Sequence, residues 1–185
     1  MNKLLYNKNF LVAKINELNH IEWICKERAP LYLQKTGNFI GWLQNRCVDS
    51  HRKNSRLLKK ALRISEKDDE EIVLEVNAAT ITDTYWVKDE SSPLTWEEVE
   101  FKKSEFASLA LIGTYNDYYR AESAKTRKTP ELTNTGSFEK CWKVRNGSWW
   151  LYKAGNQYEL FSELFVYKLG KVLGFNMAEY TLGSK

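Results

Sequence analysis

The sequence predicts an α+β fold in two parts: a small N-terminal sheet-and-helix unit, then an antiparallel hairpin joined to one long helix. Three observations carry this expectation. Residues 3–25 read as short strands, "KLLYN", "FLVAKIN" and "HIEWICKE", the last alternating Ile21, Trp23 and Cys25 with polar neighbours. Asn146-Gly147 sits between two strand-forming runs, where a type I′ turn needs φ > 0 at both central residues. "QYELFSELFVYKLGKVLGF" repeats apolar residues at helical spacing. With 185 residues, 43% hydrophobic and 14% aromatic, the chain has material for one ordinary core or two small ones.

Taken in order, "KLLYN" and "FLVAKIN" flank a tight turn at Asn7-Lys8, and Arg28-Ala29-Pro30 ends the third strand. "NFIGWLQNR" reads as a short helix with Phe39, Ile40, Trp42 and Leu43 inward. Asn54 is placed to cap a second helix that aligns Leu57, Leu58, Ala61 and Leu62. "DDEEIVLEVN" suits either a helix or a strand, and its leading acids favour a helix N-terminus. Thr80–Val87 is β-branched and aromatic, hence partly extended, and Thr95-x-x-Glu98 is a capping-box pattern. From Tyr115 to Glu131 the chain turns polar, "YNDYYRAESAKTRKTPE". The expected division is residues 1–115, a linker at 116–131, and a second unit at 132–185.

The totals exclude some classes. A net charge of +4 does not by itself imply a nucleic-acid or membrane partner. Cys25, Cys47 and Cys141 are odd in number and far apart, which argues against a zinc site or a disulfide framework and for a reducing cytosol. The N-terminus lacks a signal-like apolar run, and no stretch has the length to span a bilayer. The basic residues Arg52, Lys53, Arg56, Lys59, Lys60 and Arg63 are dense enough to consider nucleic-acid binding. They equally suit the solvated face of a helix.

The chemistry-bearing stretch is "LTNTGSFEKCWKVRNGSWWLYKAG". Alternation along its second strand puts Trp149, Leu151 and Lys153 on one face and Trp150 and Tyr152 on the other. A lysine beside two large apolar groups must snorkel outward or find an anion. Glu159 and Glu163 lie one turn apart on the helix that follows. The order of polar loop, hairpin, strand lysine and helix glutamate is that of the upper half of a kinase nucleotide site. There the lysine neutralises phosphate oxygens and the glutamate holds the lysine. The same residues also fit a solvated strand-end lysine and a surface glutamate, and "TNTGS" has one glycine where G-x-G-x-x-G has three.

Several segments resemble one family. "TPELTNTGSFEKCWKV", "WWLYKAG" and "ELFSELFVYKLGKVLGFNMAEY" are similar to HipA-like serine/threonine kinases, in a branch found in bacterial genomes without a close tie to the toxin prototype. "APLYLQKTGNFIGWLQNRCVDSHRKNSRLL", "TITDTYWVK" and "LTWEEVEF" look like the region that precedes the kinase core there. The resemblance implies a kinase-like N-lobe in residues 132–185, with an antiparallel β-hairpin and an αC-like helix. It implies a phosphate-contacting loop at Thr133–Ser137, where Thr135, Gly136 and Ser137 are the loop candidates and the two hydroxyls are possible autophosphorylation sites. Lys140 matches the loop lysine, Lys153 the strand lysine that reaches nucleotide phosphates, and Glu163 its helix partner, with Glu159 as the fallback.

The resemblance is incomplete. A working kinase takes a catalytic Asp, an Asn and a metal-binding Asp from its lower lobe. Eleven residues follow Gly174 and none is Asp; His51-Arg52-Lys53-Asn54 lies upstream and lacks the Asp of H-R-D. The expectation is therefore an isolated piece, a split-protein subunit or a truncated gene product with no catalytic residue on this chain. It would meet ATP and Mg²⁺ only with the complete kinase. The alternative is a regulatory or partner-binding module of a split toxin–antitoxin-type system, paired with a separate lower-lobe or antitoxin-like protein.

Overall fold

A computed structural model of the protein describes residues 2–52, 54–111 and 128–183. It is α+β, as the patterning predicts. Strands β1 (Lys3–Asn7), β2 (Phe10–Ile15), β3 (Ile21–Trp23) and β4 (Tyr85–Asp89) form one antiparallel sheet in the order β3-β2-β1-β4. The first turn falls at Lys8-Asn9, one residue later than expected, with Lys8 at φ 50°. β4 begins at Tyr85, so the β-branched run before it leads into the sheet rather than joining it. Leu5 pairs with both Ala13 and Val87, and all three are buried. Trp86 is buried on the other face, stacked on Tyr6 at 5.0 Å, and its indole N–H donates to the Lys8 carbonyl at 2.7 Å.

Short helices cover the sheet: α1 (Leu31–Thr36), α2 (Phe39–Gln44), α3 (Ser55–Ala61), α4 (Asp69–Leu74), α5 (Trp96–Val99) and α6 (Ala107–Leu111). Helices of one or two turns are marginal alone, and here caps hold three of them and apolar anchors hold them to the core. Asn38 accepts from the Gly41 amide at 2.8 Å, and Asp68–Glu71 and Thr95–Glu98 form capping boxes. Phe39, Leu43, Leu58, Ile72 and Val73 then lock α2, α3 and α4 into one core. Asn54 precedes α3 but makes no side-chain cap; its amide group is engaged elsewhere.

The C-terminal end of the expected linker packs on the N-terminal core. Pro130–Thr133 forms a buried 3₁₀ turn. Leu132 is fully buried in the N-terminal core, its carbonyl accepts from Val48 at 2.8 Å, and the Thr133 hydroxyl donates to the Ala79 carbonyl at 2.7 Å. Pro130 and Leu132 are apolar enough to dock, so residues 129–133 belong with the first unit's core. The remainder of the expected linker, residues 116–127, lies outside the described residues.

The hairpin pairs β5 (Lys140–Arg145) with β6 (Ser148–Lys153), and Asn146 and Gly147 take φ of 50° and 75° as a type I′ turn requires. Helix α7 (Gln157–Val172) follows, capped by Asn156. It ends in a Schellman motif: Gly174 has φ 77°, its amide donates to the Lys171 carbonyl, and the Phe175 amide donates to Gly170 at 2.8 Å. Cys141 and Tyr152 pack the hairpin on Ala107 and Ala110 of α6, and Trp149 reaches the N-terminal core. Among the described residues no helix is long and apolar enough to cross a membrane.

Candidate functional site

The hairpin register places Lys140 directly across from Lys153. Cross-strand partners share a face, so both ammonium groups leave the side of the sheet that also carries Trp142, Leu151 and Trp149. Like charges directly opposed destabilise a sheet unless something neutralises them. Glu163 supplies one carboxylate: it reaches back from the second turn of α7 and pairs with Lys153. Lys153 also lies 5.3 Å from the centre of the Phe138 ring, a cation–π contact. That contact had no signal in the sequence, because Phe138 sits in an irregular loop.

Lys140 is held differently. Its ammonium donates to the Thr135 carbonyl at 2.7 Å. Burial, then the charges of Lys153 and Arg52, push its pKa down, while Glu163 and Asp49 oppose the shift. The loop wraps this ammonium closely. Gly136 has φ 99°, and a Cβ built there would stand 2.5 Å from Lys140 Nζ. The backbone angle calls for glycine, and a side chain there would also displace the Lys140 ammonium from its place. Thr135 and Ser137 are exposed at the rim. Thr133 and Asn134, also expected in the loop, are buried and serve as its anchors.

Of the expected residues, then, Lys140, Lys153, Glu163 and the loop Thr135–Ser137 come together. Glu159 does not: its Oε2 is buried beside Gly155 with no hydrogen-bond partner among the described residues. Glu163 faces the hairpin, where it pairs with Lys153. The apolar stripe of α7 is the part that meets solvent. Phe161, Phe165, Val166, Leu169 and Val172 are exposed, and Gly170 is the one described residue of the helix that is buried. A shallow hollow of about 390 Å³ beside α7 is lined by Asn156, Tyr158, Glu159, Ser162 and Glu163 rather than by the two lysines.

The expected basic patch is corrected as well. Arg52 is 1% exposed and so leaves the surface, and Lys59 pairs with Asp69 at 3.3 Å. Arg56, Lys60 and Arg63 remain exposed, and Lys53 lies outside the described residues.

Sequence reasoning missed a buried polar seam behind the loop. Glu131, fully buried, accepts from the Trp142 amide at 2.9 Å, the Ser104 hydroxyl at 3.2 Å and the Asn134 amide group at 3.3 Å. Burial pushes its pKa up to about 7 against the pull of those donors and of Arg52. "PELTN" gives no periodic signal for this, since one buried carboxylate in a short 3₁₀ turn looks like a surface charge. Among the described residues no group of three His, Cys, Asp or Glu is placed to hold a metal ion. Comparison with family models, with curated proteins and with solved structures gives no match.

Proposed function

We propose that residues 132–185 are the upper part of a nucleotide site in a HipA-like serine/threonine kinase, unable to transfer phosphate without a lower lobe. The observation that carries the reading is the opposed pair Lys140 and Lys153, Lys140 held by the loop around Gly136 and Lys153 paired with one helix carboxylate. Two ammonium groups and one carboxylate leave one positive charge, which suits a polyphosphate. The residues fit the group in kind. Lys153 would reach phosphate oxygens while Glu163 fixes its direction, Lys140 would add a second cation, and the amides of Thr135–Ser137 would line the approach. The nucleotide would bring the phosphoryl group, and Mg²⁺ would be held by the phosphates together with carboxylates from a complete lower lobe.

Titration of the chain with Mg·ATP, followed by calorimetry, tests the reading. Lys153→Met is expected to weaken binding at least tenfold and Glu163→Gln severalfold. Equal affinity in Lys153→Met and the unaltered chain would sink the nucleotide site. Radiolabelled ATP should leave no label on this chain or on added protein; sustained, Lys153-dependent labelling by these residues alone would refute the missing-lobe part.

The exposed stripe of α7 favours a second reading, a partner-binding module. Its occupant would be a separate chain carrying the lower lobe. Phe165→Glu should then abolish co-purification with a neighbouring reading frame that encodes an H-x-D-x-x-x-x-N-like segment, and unchanged co-purification would exclude the helix as the interface.

A further inference from the structure

Arg52 lies in a loop whose sequence, "DSHRKN", reads as surface, yet its side chain is 1% exposed. Burying a guanidinium is costly unless its donors are used. Three contacts use them. Nε donates to Asn54 Oδ1 at 2.9 Å, and Nη2 donates both to the Ala110 carbonyl at 2.5 Å and to the Lys140 carbonyl at 2.6 Å. Asn54 in turn donates to the same Ala110 carbonyl at 2.6 Å and to Leu109 at 3.2 Å. The carbonyls of Leu109 and Ala110 in α6 are thus satisfied by Arg52 and Asn54. The same guanidinium ties that helix end to the first residue of β5. Nη1 is buried with no hydrogen-bond partner among the described residues.

Lys140 is where these ties converge. Its carbonyl accepts from Arg52 at 2.6 Å and from Asn134 at 3.4 Å, while its ammonium donates back to Thr135. The segment from Asn134 to Lys140 is therefore closed on itself twice, and Arg52 holds the closed loop against the N-terminal unit. We infer that Arg52 is a positioning residue for Lys140 and the loop 134–140, so that the N-terminal unit sets the geometry of the nucleotide-facing loop. The inference rests on the nucleotide reading for its functional meaning, but the clamp itself is testable without nucleotide.

The test compares Arg52→Met with Arg52→Lys in the full chain. Methionine keeps the volume and removes every donor; lysine keeps the charge and lacks the planar fork that serves Asn54 and two carbonyls together. Replacing a buried ion by an apolar side chain is often neutral or stabilising overall, so lost global stability is not the signature. The signature is local. Amide hydrogen exchange at residues 135–140 should speed at least tenfold in Arg52→Met and severalfold in Arg52→Lys, with β1 and β2 unchanged. In parallel, Mg·ATP affinity should fall at least fivefold in Arg52→Met. Leu5→Ala, a change in the core of the four-stranded sheet, should lower stability and leave affinity alone.

Loop exchange that is unchanged, or raised equally in β1 and β2, overturns the clamp. Faster loop exchange with unchanged affinity, in a chain that binds Mg·ATP, overturns the positioning role. If the unaltered chain does not bind Mg·ATP, the nucleotide reading fails on its own, and the exchange arm still decides the clamp. Should Arg52→Met not fold, Asn134→Ala removes the second donor on the same carbonyl and should loosen the same amides by a smaller factor.

Discussion

The N-terminal unit and helix α7 are built from similar residues and are held in opposite ways. The first buries Leu5, Ile15, Leu33, Leu43, Leu58, Ile72 and Trp86 in one continuous core. The second has the longest helix among the described residues, yet Phe161, Phe165 and Val172 stand 68%, 54% and 84% exposed. What holds α7 is the Lys153–Glu163 pair, half-buried contacts of Leu160, Leu164 and Tyr167, the Asn156 cap and Met177 against Gly170. Helical periodicity reports that a helix has an apolar side. It does not report whether this chain supplies the surface that covers it.

The largest effect should come from breaking that contrast directly. Trp86→Ala removes a 1%-exposed side chain together with its hydrogen bond to Lys8. It should cost about 3–5 kcal/mol in chemical denaturation. Phe161→Ser removes a ring of similar bulk from a solvent-facing position and should stay within about 0.5 kcal/mol. Comparable losses in the two variants would mean that α7 is packed against something, and the contrast would be wrong.

Next in size is Glu131, at the seam between the regions. Its folded pKa, about 7, stands above the ordinary 4.5. Between those values the folded chain keeps a proton that the unfolded chain has released. Glu131's contribution to stability is therefore fully present below pH 4.5 and is lost as pH rises through 7, by something on the order of 3 kcal/mol. The groups that act on the carboxyl are Arg52, the Trp142 amide, Asn134 and Ser104, and Cys141 is a further neighbour whose own pKa is pushed to about 12, chiefly by burial. Glu131→Gln should flatten the slope between pH 4.5 and 7. A slope that survives unchanged would place the titrating group elsewhere.

The two regions also differ in how legible they were. In the N-terminal unit, the alternation of Ile21, Glu22 and Trp23 and the capping box at Thr95 fix a strand and a helix turn locally, and in β3 exposure follows the alternation. The Asn146-Gly147 hairpin was equally legible, because turn chemistry is local, whereas helix spacing left Glu159 and Glu163 both open and only the resemblance singled out Glu163 as the partner of Lys153. The seam was not. Arg52 pairs with carbonyls 58 and 88 residues away, and backbone acceptors carry no side-chain signature. Nor was the fate of residues 129–133: two apolar residues in a polar stretch dock only because the core leaves room for them.

The smallest effects sharpen the comparison through helix ends. Asp68 and Asn156 are both N-caps, but Asp68 opens a helix whose Ile72 and Val73 are fully buried, whereas Asn156 opens the exposed α7. Removing either side chain should cost about 1 kcal/mol. Asp68→Ala should appear as a shift of the whole cooperative transition, since α4 cannot loosen without the core. Asn156→Ala removes the acceptor for the amides of Tyr158 and Glu159, at 2.9 and 3.1 Å, from a helix that few core contacts restrain. Its cost should therefore stay local: faster amide exchange across residues 157–165, roughly fivefold by the energy of one cap, with the main transition unmoved. Gly174→Ala, which forces a side chain into the left-handed region at φ 77°, should do the same from the other end. If either change moves the main transition as far as Asp68→Ala does, α7 folds as part of the core rather than as an appended helix held by its caps and one ion pair.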